Sequence, residues 1–590
     1  MKTANTQLLF TLLLLTSSLS AQNQFIDSAQ AMGIEHTYGV GSAGGGVSFC
    51  DFTGDGLDDL TIATQSGDDI LFYENNGNGF TALPPMVEDV FEVKQIIWVD
   101  FDNDGDKDLY LSNLDGNNRL FENDGDFNLN DITETAGLPL TVFASYGACW
   151  ADVDRDGWLD VYFTKRAVPF SSNQAWLYRN NSDGTFTDFS DYSGSSDPSK
   201  AAFMPVFVDI NNDLWPDIYT AHDKTQINTL LRNDGDLTFS DISEISNADE
   251  QINAMGVAVG DYDNDGDLDI YISNTDDGNK LLNNQGDETF VEMAESSGVG
   301  FFGIGWGTNF FDADNDGDLD LYASGMSVSS TLVSSLFFEN NGDGSFFVPE
   351  ANFAGDTVSS FGNAIGDFNN DGLLDIFVNN TAPFQSHLWM NSAQNNSNNF
   401  VKINLQGVVS NRDGVGAWIK LFIDGQSQVR YTHSGTSFLG QNSQTTLFGI
   451  NQSDMIDSLQ VLWPTGHSDV LYDVLPNQLL TILEGSTTNG EIYVDPETEI
   501  IINDTKSTEL QSELVVLTNP SNGNLYIKAI EGRIEKLQIM NESGALVFHK
   551  NYLDGTFEVN LHPNLDSGIY FIHVENEKRM TQILRWVVEN

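Results

Sequence analysis

Cysteine is nearly absent. Cys50 and Cys149 are the only two in 590 residues, so no disulfide framework organises the chain. They fall in the first strands of the first and third of the repeats described below, which are not neighbours, and read as buried free thiols rather than a bridge. Basic residues are also scarce, with 24 Lys and Arg against 87 Asp and Glu and a formal charge of −63. That balance excludes nucleic acid as a partner. Long apolar runs are missing as well. The stretch Leu8 to Leu15, after Met1-Lys2 and before small residues ending at Ala21, is too short to span a bilayer. It reads as a secretory signal peptide over 1–21, and the chain does not read as an integral membrane protein. Catalytic signatures are lacking too: there is no Gly-x-Ser-x-Gly, His-Glu-x-x-His, P-loop or Cys-x-x-Cys. The histidines, His36, His222, His387, His433, His467, His549, His562 and His573, show no metal-ligand spacing.

What the chain has instead is one acidic phrase written seven times, close to Asp-x-(Asp/Asn)-x-Asp-Gly-x-x-Asp. The copies start at Asp51, Asp100, Asp152, Asp209, Asp261, Asp312 and Asp367, at intervals of 49, 52, 57, 52, 51 and 55 residues. Oxygen ligands at alternate positions around a tight glycine turn point inward at one hard cation, and calcium is the natural occupant. Four copies supply a full set of four carboxylates and one backbone carbonyl: Asp100, Asp102, Asp104, Asp108 with Asp106; Asp152, Asp154, Asp156, Asp160 with Trp158; Asp261, Asp263, Asp265, Asp269 with Asp267; and Asp312, Asp314, Asp316, Asp320 with Asp318. The first copy, Asp51, Thr53, Asp55, Asp59 with Leu57, and the seventh, Asp367, Asn369, Asp371, Asp375 with Leu373, replace one carboxylate by a neutral oxygen. The fourth, Asp209, Asn211, Asp213, Asp217 with Trp215, does the same and puts Leu214 where the others have glycine. It is expected to be the weakest of about seven calcium sites, because that position needs φ > 0. The last carboxylate falls at the ninth position and the flanks look extended, so these are not EF-hands. A structural ion is favoured over metal-free acidic turns and over a metal that grips a ligand directly. Seven divalent ions would bring the net charge to about −49.

The flanks set the fold class. A small-residue stretch such as Ala254 to Gly260 precedes each loop, and an alternating one such as Leu268 to Ser273 follows it. A Leu/Phe-rich segment ending in Asn and a Phe-containing strand complete the repeat, as in Leu281 to Phe290. Four strands recurring at about 50 residues predict an all-β chain with a seven-bladed β-propeller over 22–395. The seventh repeat lacks a fourth strand after His387-Leu388-Trp389-Met390-Asn391, and Phe25 to Gly33 resembles the fourth-strand text of the other repeats. The N-terminal segment is therefore expected to close the ring. Beyond it, alternation in Val401 to Leu405 and Trp418 to Phe422, with a turn at Asp424-Gly425, predicts a small β-rich domain over 400–485. A polar linker covers 486–513. Alternating stretches around Leu525, Leu537 and Gly568 to Val574 predict a C-terminal β-sandwich over 514–590.

The seven loops and their flanks resemble FG-GAP/VCBS repeats, the calcium-loop propeller of integrin α type. Ser410-Asn411-Arg412-Asp413-Gly414-Val415-Gly416-Ala417, Gly435, Gln441, Ser443 and Val461-Leu462-Trp463-Pro464-Thr465-Gly466 resemble the ASPIC/UnbV domain, with a departure at Phe448-Gly449-Ile450. The pairing is similar to the cartilage acidic protein group and its bacterial relatives, which carry no established catalytic set. Asn519-Pro520-Ser521-Asn522-Gly523, Ser543-Gly544, Leu565 to Tyr570 and Lys578-Arg579 resemble the C-terminal sorting domain of the type IX secretion system, with Ala545 where a Lys is usual. That resemblance implies a Bacteroidota-type cell, the type IX machinery as a partner, and a secreted or outer-membrane-surface location after signal-peptide export.

Topology narrows the place of a ligand. In an up-and-down blade the calcium loops crowd one face, and the opposite face carries the variable text: Thr164 to Gln174 with Lys165, Arg166 and Phe170; Ser324 to Ser335; and Phe301, Phe302 and Trp306. Aromatic and basic groups there suit an extracellular glycan or protein, with blade packing as the other reading. In the small domain, Arg412 and Asp413 read either as a binding pair or as a turn with a local ion pair. The chain is expected to be a non-catalytic binding or adhesion module. The alternatives are a carbohydrate-active enzyme such as a polysaccharide lyase, with its site in the propeller channel, or a structural envelope component.

Overall fold

The computed structural model describes residues 25–487, apart from 41–42, 126, 168, 170–172, 327–333, 350–352, 354–355 and 393–396, together with the backbone of the strands between 515 and 588. Phe170, the signal segment and most of the linker lie outside these residues.

Strands begin and end where the acidic phrase dictates. Every second strand starts on the ninth residue of a loop, as in Asp59–Ile62, Asp108–Asn113 and Asp269–Ile272, and every third strand ends in Asn, as in Leu71–Asn75, Arg119–Asn123 and Lys280–Asn284. The pieces form seven antiparallel four-stranded sheets, and Gly440–Gln441 adds a parallel fifth strand to the first of them. The first strands, Val47–Cys50, Val93–Val99, Ser145–Ala151, Ala202–Val208, Val257–Gly260, Ile304–Phe311 and Ser360–Gly366, each lie against the next, and the seventh returns to the first, so the sheets close a ring around an axis. Apolar layers fill the gaps between sheets, for example Phe49, Leu60 and Ile62 against Ala364, Phe377 and Leu388. Cys50 and Cys149 are buried free thiols, as expected.

The ring is closed by the N-terminal segment. Phe25–Asp27 pairs antiparallel with His387–Asn391 as the outer strand of the seventh sheet, Phe25 facing Asn391, and Ala29 and Ile34 are buried beside it. Deleting residues 22–35 strips a strand from an otherwise edge-exposed sheet and opens two interfaces. We expect the melting temperature to fall by roughly 10 °C or more; an unchanged thermal transition in a calorimetric scan would contradict the closure.

Residues 400–487 form two sheets on one core. Thr446–Gly449, Phe400–Gln406 and Leu479–Leu483 make one, and Gln426–Tyr431, Trp418–Ile423, Ile456–Leu462 and Ser468–Val474 the other. The Asp424-Gly425 turn has φ of 52° and 82°, as a two-residue hairpin of this twist requires. This domain sits on the loop face of the ring as a cap, and its segment Ser434–Ser443 runs down the axis. That segment touches all seven first strands. Gly440 and Gln441 pair in parallel with Val47 and Ser48. The Gln441 side chain accepts from Trp98 N at 2.8 Å and donates to Trp98 O at 2.6 Å. Ser434 O accepts from Trp150 N, Ser437 exchanges two backbone bonds with Val257, and Ser443 N donates to Ile365 O. Leu439 N lies 3.3 Å from Met204 Sδ, and Ser437 Oγ accepts from Thr308 N and donates to Asn363 Oδ1. Phe438 and Leu439 are fully buried. The propeller channel, where the enzymatic reading places its site, is filled by this peg.

The C-terminal region contributes two antiparallel sheets, Val515–Thr518, Leu525–Ala529 and Glu558–Leu561, and Leu546–Thr556, Ile534–Asn541, Gly568–Asn576 and Thr581–Val588.

Candidate metal loops and the capped face

Each loop is built the same way. The backbone N–H groups of the fifth and sixth residues donate to the two carboxylate oxygens of the first Asp, in all seven loops at 2.8–3.2 Å. Two residues must be left-handed for this. The fourth is Gly54, Asn103, Arg155, Asn212, Asn264, Asn315 or Asn370, and the sixth is glycine in every loop but one, where Leu214 is held at φ 69°. Leu214 thus pays the strain expected from its side chain.

The ninth residue is fixed by a partner that sequence reading left without a role. The Asn ending each third strand donates its backbone N–H to the ninth Asp at 2.7–2.9 Å in all seven repeats. In six repeats its Nδ2 also reaches a carbonyl of the preceding loop, Asn75 to Phe368, Asn180 to Phe101, Asn233 to Val153, Asn284 to Ile210, Asn340 to Tyr262 and Asn391 to Ala313. The signal was its invariable place at the end of the Leu/Phe segment.

Convergence of the carboxylates is clear. In Asp100/Asp102/Asp108, Asp152/Asp154/Asp160, Asp261/Asp263/Asp265 and Asp312/Asp314/Asp316, one oxygen from each residue lies within 4.8 Å of the others, a spacing that could hold a metal ion. Buried third-position oxygens without a hydrogen-bond partner, Asp154 Oδ1 and Asp263 Oδ1, mark two of these pockets, and Asn211 Oδ1 and Asp375 Oδ2 are in the same condition in loops four and seven. Burial, reinforced by neighbouring carboxylates, pushes Asp152 up to about 8 and Asp261 to about 7, and it raises Asp160, Asp269, Asp320 and Asp375 well above the usual carboxylate range. Hard oxygen donors, crowded and short of positive charge, fit a divalent cation. Third-position Thr53 instead donates its hydroxyl toward Asp51, and Asn211 and Asn369 donate to Asp213 and Asp371. Loop three also has a protein cation of its own, since Arg179 pairs with Asp154 and Asp156.

The cap seats on the backs of these loops. Lys107 pairs with Asp413, whose Oδ2 accepts from Asp100 N. Arg412 N donates to Asn103 Oδ1. The pair Arg412/Asp413 is therefore neither a free ligand site nor a local ion pair but a docking element, held in shape by Glu484, which accepts from the N–H groups of Val408, Val409 and Ser410 at 2.7–2.8 Å. Sequence alone could not pair residues 306 positions apart. Further seats join Trp418 Nε1 to Asp209, Gly449 N to Asp312, Lys402 Nζ to Asp367 and Ser443 Oγ to Asp58.

Three family models match. Residues 51–110, 100–163, 167–220, 209–272 and 261–323 match the FG-GAP-like repeat, residues 407–489 match ASPIC and UnbV, and residues 516–589 match the secretion system C-terminal sorting domain. The chain carries FG-GAP-like repeats, an ASPIC and UnbV segment and a sorting tail. Among curated proteins it is 26% identical to cartilage acidic protein 1 of Xenopus tropicalis, over 54% of this chain and 53% of that protein. To the Homo sapiens protein of the same name it is 22% identical, over 74% of this chain and 62% of that one. The matches thus span between about half and two thirds of those relatives' length. Among solved structures, the Dos1 propeller aligns over 69% of this chain and 97% of its own at 8% identity with a TM-score of 0.32, and the fold assignment rests on the sheets described above. Among the described residues the ASPIC and UnbV segment lies over the loops, and the opposite face of the FG-GAP ring carries no such cover. There Trp306 is half-buried against Phe438, Phe361 and Phe203 at 4.8, 4.9 and 5.9 Å. The Arg166 guanidinium stacks 4.1 Å from Phe203 and pairs with Asp223. Lys94 is buried between Glu92 Oε1 at 2.6 Å and Gly44 O at 2.7 Å. Phe301 is packing, whereas Phe302 is 59% exposed.

Proposed function

We propose that this protein is an exported, calcium-stabilised propeller that acts as a binding module, presenting the face opposite its acidic loops to an extracellular glycan or protein. The observation that carries this reading is the cap: it covers the loop face and its peg fills the axis, so a ligand meets the ring on the other side. Trp306, Phe302 and the Arg166–Asp223 pair supply stacking surface and polar groups on rigid strands, the combination that recognises sugars and peptide side chains. The sorting-domain match supports passage through the type IX machinery to the cell surface or beyond. Within this reading the ring is assigned to 22–395, the cap to 400–485 and the sorting region to 514–590. The filled channel weighs against a lyase-type site at the axis.

An array of bacterial and host glycans probed with the full chain tests the reading. Binding should fall tenfold or more in Trp306→Ala or Arg166→Ala and persist in Asp104→Asn. Binding that ignores both face variants but is lost with the loop variant would move the ligand to the calcium side.

A further inference from the structure

Loops four and seven have the same inner chemistry. Each offers three carboxylates, one Asn at the third position whose Nδ2 donates to the fifth-position Asp at 2.9 Å, and one backbone carbonyl. They differ in what the cap places behind the first Asp. At loop four the neutral indole N–H of Trp418 donates to Asp209 Oδ2 at 2.8 Å. At loop seven the ammonium of Lys402 lies 2.9 Å from Asp367 Oδ2 and 2.5 Å from Asn370 Oδ1, and both Trp418 and Lys402 are buried. In each loop the other oxygen, Oδ1, accepts from the fifth residue's N–H. One carboxylate is therefore shared between the loop and the cap.

We infer that the cap grades the two loops in opposite directions, with Trp418 strengthening cation binding at loop four and Lys402 weakening it at loop seven. This rests on the calcium reading above. A neutral donor behind a ligand carboxylate fixes its orientation and leaves its charge available to the metal, and loss of such a partner typically costs 10–100-fold in metal affinity. An ammonium in the same place fixes the carboxylate equally well, but it repels a dication a few ångströms away through a shielded interior and takes part of the carboxylate's charge. Loop seven, not loop four with its strained Leu214, is then the weaker of the two. The order expected from sequence is reversed, because the strain at Leu214 is met on folding whether or not a cation is present. Trp418 and Lys402 are positioning residues in this scheme and do not touch the cation.

Equilibrium dialysis of the full chain against radioactive calcium, counting ions bound per chain across free calcium, gives the test. Trp418→Phe should weaken one ion about tenfold. Lys402→Met should tighten one ion about tenfold, while Lys402→Arg, which keeps the charge, should bind as the wild type does. Adding Asp371→Asn to Lys402→Met should abolish the tightened class, and Asp213→Asn should remove the class that Trp418→Phe weakens. Equal isotherms for wild type, Trp418→Phe and Lys402→Met, with ions bound in all three, would overturn the proposal and leave the calcium reading standing. A shift shared by Lys402→Met and Lys402→Arg would overturn it too, as packing rather than charge. No ion bound to the wild type would remove both.

Discussion

Stripping divalent cations with a chelator should lower the melting temperature of the full chain far more than any single substitution, and the melting temperature should depend on pH in opposite senses with and without calcium. The cation-free loops hold carboxylates forced together in partly dry pockets. Each loop filled at a hundredfold excess of calcium over its dissociation constant adds about 2.7 kcal/mol of stability by mass action. Several loops acting together exceed the total stability of an ordinary domain. In the cation-free protein, burial with neighbouring charge sets Asp152 near 8, Asp108 near 10 and Asp59 near 7. Their folded values lie above their unfolded ones, so the folded state takes up protons more readily. Its stability therefore rises as pH falls from about 8 to 6. With calcium bound, protons compete for the same oxygens, and stability falls over that window. Calorimetric scans at pH 6, 7 and 8, with saturating calcium and with chelator, read both slopes. A melting temperature indifferent to calcium at every pH would remove the metal from the account.

The second large effect concerns the peg. Phe438→Ala should destabilise the ring and the cap together by about 3–5 kcal/mol, the cost of truncating a fully buried aromatic. Phe438 packs against Phe203 and Trp306, which belong to the fourth and sixth sheets, so its loss opens a void at the point where the sheets meet. Gln441→Ala should cost a further sum of the same kind, because both the N–H and the carbonyl of Trp98 lose their partner in a dry interior. Urea unfolding followed by tryptophan fluorescence and by far-ultraviolet circular dichroism is the measurement. Loss below about 1 kcal/mol for Phe438→Ala, or a cap that melts separately from an unchanged ring, would show that the peg is an ornament on a self-sufficient propeller.

The sequence by itself determined the repeat, the strands and the loops. Period-two alternation and the acidic phrase are local signals: a ninth-position Asp begins a strand because its carboxylate is bound by the backbone on either side, and a sixth-position glycine is needed wherever the turn is left-handed. Ring closure by Phe25–Asp27 was also legible, because a missing fourth strand at one end and a spare one at the other are both written in the text. Only the tertiary structure decided what lies behind the loops. Lys107 meets Asp413, Asp209 meets Trp418 and Asp367 meets Lys402 across domains, and no periodicity encodes such pairs, since each depends on the angle at which one folded body rests on another. The same holds for Ser434–Ser443. It is buried because six first strands offer it backbone groups at the axis and the fourth offers the Met204 sulfur, and a polar segment is buried at low cost where most of its hydrogen bonds are met.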